Sequence, residues 1–140
     1  MLSHYLADAA MPMHMSVNRN GWEESDNPED FTRDNTFHSR FESRFASARF
    51  QNPAALDPYM RPCETASDPL SCIHAHLRRS WEQVKPLYRL EKKQSFTPEN
   101  RSPEHIEFCA RRLADAASTI RDLWYTAYAT SSASAAAEMA

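Results

Sequence analysis

Glycine is nearly missing: Gly21 is the only one in 140 residues, against nine prolines. Tight hairpins and phosphate-cradling loops both need glycine where the backbone takes positive φ, so a dinucleotide-binding domain, a P-loop enzyme and a β-sandwich are all disfavoured. Long apolar runs are also absent, and the mean hydropathy is −0.70, which excludes a membrane-spanning helix. Excess charge of one sign is lacking too. The net charge is −3 and the pI about 6.1, with no strong signature for duplex nucleic acid or acidic membranes. Cysteine is sparse: Cys63, Cys72 and Cys109 do not make a disulfide scaffold, nor do they have paired-knuckle spacing for structural zinc. One bridge, Cys63 to Cys72 across a proline-rich turn, is the pairing their positions would allow.

What is present is helical punctuation. Prolines mark starts and stops, and the expected class is all-α, in one domain of ordinary globular composition. Residues 1–11 read as a helix with Leu2 and Leu6 on one side, ending near Pro12. The stretch SVNRNGWEESDNPEDFTRDN, residues 16–35, is dense in Asn, Asp, Ser and Pro and reads as a long surface loop. Phe37, Phe41 and Phe45 repeat every four residues and predict a helix over 36–48. A third helix opens at Asp68-Pro69, carries Leu70, Ile73, Leu77, Trp81, Val84 and Tyr88 on one face, and kinks at Pro86. A fourth opens at Ser102-Pro103-Glu104 with Ile106, Ala110, Leu113, Ala117, Ile120, Trp124 and Ala127 as its apolar stripe. Residues 1–130 are taken as the helical domain and residues 131–140, SSASAAAEMA, as a frayed or disordered tail.

The chemistry-bearing residues cluster in the first third. His4 and Asp8 are four apart on the first helix, and His38 and Glu42 repeat that spacing on the second, with His14 just past the break at Pro12. Four-residue spacing sets two side chains on one face of a helix, one turn apart. Zinc accepts imidazole nitrogen and carboxylate oxygen, and a catalytic zinc takes three protein ligands with a position left for water. His14, His38 and Glu42 match that count. Each pair alone is an ordinary solvated pair. The remaining histidines, His74, His76 and His105, are read as surface or partly buried, Arg89, Lys92 and Lys93 as a solvated face, and Trp81 and Trp124 as core.

The string HYLADAAMPMH resembles the HYxxDxxxPxH motif of the zinc-dependent phospholipase C and single-strand nuclease superfamily, and HSRFES resembles its second, HxxxE or HxxxD motif. NGW and DLWYTAY are similar to segments of secreted bacterial members. The resemblance implies an all-helical phosphoesterase that hydrolyses phosphodiesters, a phospholipid head group or single-stranded nucleic acid, by zinc-activated water. It further implies three zinc ions in the complete site, one of them held by His14, His38 and Glu42. His4 and Asp8 would serve the other two, with Asp8 as the catalytic bridge. Glu42 matches the phospholipase branch, whereas the long loop is closer to the nuclease branch, where Trp22 or Phe31 would stack a base or merely pin the loop. The family's remaining ligands precede the first motif and have no counterpart here. The chain is therefore expected to be the C-terminal part of a secreted or periplasmic enzyme, with one competent zinc site and weak or no activity. An exposed apolar patch beside His4 and Asp8 would follow. The rival expectations are a non-catalytic helical interaction module and a single structural zinc that braces two helices.

Overall fold

A computed structural model describes residues 2–138 of the chain, and side chains as far as residue 131. The described residues are helical and loop, without a strand. Helix α1 spans Leu2–Ala9 and is followed by a 3-10 turn, Pro12–Met15. Next come α2, Phe37–Ser39, a π-type turn, Arg40–Phe45, and α3, Ala46–Arg49, which run on as one rod. After a proline-bounded 3-10 segment, Pro53–Tyr59, the chain forms α4, Pro69–Trp81, α5, Val84–Lys93, and the long α6, Pro103–Glu138. None of these helices is long and apolar enough to cross a membrane.

The core is aromatic. Phe37, Phe41 and Phe45 are all buried, because the wider π turn offsets the drift that a four-residue repeat accumulates on a 3.6-residue helix. Their rings meet Phe96 at centroid distances of 6.2, 4.9 and 5.0 Å. Tyr88 joins this group to the loop, touching Phe37, Phe31 and Trp22 and donating its hydroxyl to the Asn18 carbonyl at 2.8 Å. Burial pushes its phenol above the usual range. Fully burying an aromatic ring stabilises by about 2 to 3 kcal/mol, so burial of Trp22 and Phe31 anchors the loop to the core.

That loop is built by the residues that predicted it. Asn27 brackets Phe31, its amide donating to the Phe31 carbonyl and its side-chain oxygen accepting the Phe31 N–H, both at 2.8 Å. Trp22 donates its indole N–H to the Asp26 carbonyl, and both Trp22 and Phe31 are buried. Both rings serve to pin the loop to the core. Gly21 has φ +87°, and a Cβ there would stand 2.6 Å from the Arg33 backbone. The sole glycine lies where two stretches of loop backbone touch.

Several expected faces are rotated. The third helix does not kink at Pro86 but ends at Trp81, and α5 restarts at Val84 with Pro86 in its first turn, where the missing N–H costs nothing. Leu70 and Trp81 are exposed, both at 60%; α4 buries His76 and Ser80 instead. On α6 the buried stripe is Cys109, Ala110, Ala114, Ser118, Thr119, Asp122 and Thr126, and Trp124 is 65% exposed. Small and polar residues let α6 approach α1 and the 53–59 segment closely, so the closest face is not the most apolar one. His76 and His105 are sealed inside, contrary to their reading as surface or partly buried groups. All three cysteines are free, so no bridge joins Cys63 to Cys72. The backbone of α6 continues through Glu138; the end of the expected tail, residues 139–140, and the side chains beyond residue 131 lie outside the described residues.

Candidate metal centre

His14, His38 and Glu42 converge. One ligand atom from each lies within 4.8 Å of the others, and this is the one such group of three among the described residues. His14 stands on the 3-10 turn, which Pro12 forces after the end of α1, and its neighbour Met13 is fully buried, fixing the turn to the core. His38 and Glu42 sit one turn apart on the rod that Phe37, Phe41 and Phe45 hold down.

The two rings are oriented by backbone. His14 donates from Nδ1 to the Asp8 carbonyl at 2.8 Å, and His38 donates from Nδ1 to the Arg19 carbonyl, also at 2.8 Å. A carbonyl oxygen only accepts, so each Nδ1 carries the hydrogen and each neutral ring keeps its lone pair on Nε2. Those two Nε2 atoms face one another at 3.1 Å. Glu42 Oε2 is 3.1 Å from His38 Nε2. Three acceptors thus meet with no hydrogen between the neutral rings, and a proton or a cation would relieve the repulsion.

The residues fit zinc by donor chemistry and by spacing. Zinc–nitrogen bonds of about 2.0 to 2.1 Å in tetrahedral geometry place two ligand nitrogens about 3.3 Å apart, close to the separation here. Hydrogen-bonded Nδ1 atoms are also what ligating histidines use to hold tautomer and ring angle. The group is open to water, since the side chains of His14, His38 and Glu42 are 21%, 19% and 44% exposed.

The other two expected ligands stand apart. Asp8 Oδ1 lies 3.2 Å from His14 Nδ1, the ring nitrogen that points away from the convergence. Its carboxylate therefore supports the ring from behind. His4 is exposed on α1 with its ring against Tyr5, outside the group of three. The structure brings together three of the five candidates and leaves His4 and Asp8 unmerged. Sequence reasoning missed the two carbonyls, Asp8 and Arg19, that aim the rings. A peptide oxygen carries no side-chain signature, and only its position one helix turn or one loop away reveals it.

No family model, curated protein or solved structure matches the chain. The phospholipase and nuclease resemblance therefore rests on the motif residues themselves.

Proposed function

We propose that the chain is a zinc-dependent phosphoesterase whose metal is held by His14, His38 and Glu42. The observation that carries this reading is the pair of Nε2 lone pairs at 3.1 Å, each ring held by a carbonyl, with a carboxylate beside them. Zinc supplies, when bound, Lewis-acid activation of water and of a phosphoryl oxygen. The chain's own residues present two neutral imidazoles and one anion, hold them by backbone bonds, and keep the site open on the Glu42 side, where a phosphate ester could approach. Asp8, against the back of His14, helps hold that ring's tautomer and angle. A phosphodiester is the substrate class, a phospholipid head group or a single-stranded nucleic acid, and the motif resemblance supplies that choice.

Zinc per chain measured by elemental analysis is expected to be about one, and to fall to background in His38→Ala and in Glu42→Ala. The loaded protein is expected to hydrolyse bis(p-nitrophenyl) phosphate slowly, with loss of activity on chelation. Absence of bound zinc overturns the metal site; bound zinc without hydrolysis overturns the enzyme and leaves a structural metal.

A second reading has one observation in its favour. Leu2, Tyr5, Trp124 and Tyr125 are exposed, and the Trp124 indole donates to Ser3 Oγ at 3.0 Å, so α1 and α6 share an apolar outer face. Such a face suits a helical interaction module.

A further inference from the structure

A cleft of about 760 Å³ opens between the 15–28 stretch and the turn that joins α4 to α5. None of the three metal-type residues lines it. Its walls mix apolar surface with charge: Val17, Trp22, Pro28 and Val84 stand beside Glu24, Asp26, Glu82 and Lys85. Concave sites with apolar walls and a few convergent polar groups are where small molecules bind.

Trp81 sets the character of the cleft. It lines the wall at 60% exposure, and its indole makes no hydrogen bond or ring contact with the other described residues. A large apolar ring left open at the edge of a cavity, when the same fold buries Trp22 and six phenylalanine and tyrosine rings in its core, is surface awaiting contact. The carboxylates come from two separate elements. Asp26 is on the loop and Glu82 is on the turn after α4, and neither has an ion-pair partner among the described residues. Glu24 accepts from the Asn18 amide at 2.6 Å, which holds it in place. With Lys85 the one cation on the wall, the four charged residues sum to −2. An organic cation satisfies both features at once, because the indole face attracts it through the ring quadrupole and the carboxylates through their charge.

Size and mixed lining narrow the class. The cleft is several times larger than a single ammonium group needs, and its lining holds carboxylates together with apolar side chains. A flexible chain of methylenes with ammonium groups at intervals offers contact to both, whereas a compact metal cation would leave the exposed Trp81 and Val17 uncovered. We propose that this cleft binds a linear aliphatic polyamine, its ammonium groups on Asp26, Glu82 and the face of Trp81. The reading is independent of zinc, and the His38→Ala protein is expected to bind as the unaltered chain does.

Spermidine is the probe. Calorimetric titration of metal-free protein at physiological ionic strength is expected to show saturable binding, weakened about tenfold by Trp81→Ala and by at least as much in the Asp26→Asn, Glu82→Gln double variant. All three residues are exposed, so the variants keep the fold, which far-ultraviolet circular dichroism verifies. The uncharged chain 1,8-octanediol is expected to give no heat, and magnesium at equal charge is expected not to displace spermidine. Binding that survives the variants, or that magnesium competes away at equal charge, reduces the cleft to a diffuse acidic surface and overturns the proposal.

Discussion

His14 and His38 at the open metal group, and His76 in the seam between α4 and α6, are the same residue type put to opposite uses. Each ring of the first pair spends one nitrogen on a carbonyl and turns the other toward a second ligand atom. His76 spends both, Nε2 toward the Leu6 carbonyl at 2.9 Å and Nδ1 toward Asp115 at 3.1 Å. Asp115 in turn takes Arg79 at 3.0 Å and Arg61 at 3.6 Å. The contrast teaches that a histidine becomes a candidate ligand through what its second nitrogen lacks. His76 is structural because both of its ring nitrogens are met.

The strongest way to break that contrast is to remove one ring from each region. His76→Ala should cost about 3 kcal/mol in urea unfolding, since Asp115 stays buried with a partner gone and the Leu6 carbonyl is left unmet. His38→Ala in metal-free protein should cost less than about 1 kcal/mol, because it relieves two facing lone pairs as it removes packing. Equal costs would show that the His14, His38 and Glu42 group is held for stability alone.

Acid sharpens the same comparison. Burial pushes the Asp115 carboxyl up, but the hydrogen bonds from His76 and Arg79 and the neighbouring positive charges outweigh it and hold the group down at about 2. A folded value below the unfolded 3.8 means that the stabilisation is complete above about pH 4. It is lost as pH falls toward 2, by about 2 kcal/mol for this group. Asp115→Asn should flatten that part of the stability profile. A profile unchanged in the variant would place the acid sensitivity elsewhere.

The smallest effect belongs to a surface carboxylate with a similar shift. The Arg40 hydrogen bond, followed by those from Thr36, holds Asp34 at about 2, yet its side chain is 40% exposed. Solvent screens the pair, and Asp34→Asn should change unfolding free energy by less than about 1 kcal/mol. A loss as large as that of His76→Ala would make the loop entry to α2 part of the buried network.

Legibility followed the range of the interactions. The cap at Asp68 is local, its side chain accepting the N–H two residues on. The aromatic repeat of 37, 41 and 45 is local as well, and the rod it predicts is there. His14, His38 and Glu42 were readable as candidates because two are one turn apart and the third follows a proline break. Trp81 and Trp124 were misread because an apolar period says which side of a helix could be buried, not which side another element covers. His105 was misread for the same reason: it caps the end of α5 by donating to the carbonyls of Leu90 and Gln94, an arrangement that needs two helices in place.

By itself the sequence determined the helical class, the helix starts at proline and aspartate, the loop of residues 16–35 and the short list of metal-type residues. All of these arise from backbone restrictions and from side chains within about one turn of each other. Tertiary structure alone decided which helix faces are covered, that Asp8 stands behind His14 instead of beside its free nitrogen, and that His76 is sealed against Asp115. Those outcomes depend on close packing between segments 70 to 121 residues apart, where the fit of small side chains along α6, not their hydrophobicity, sets the geometry.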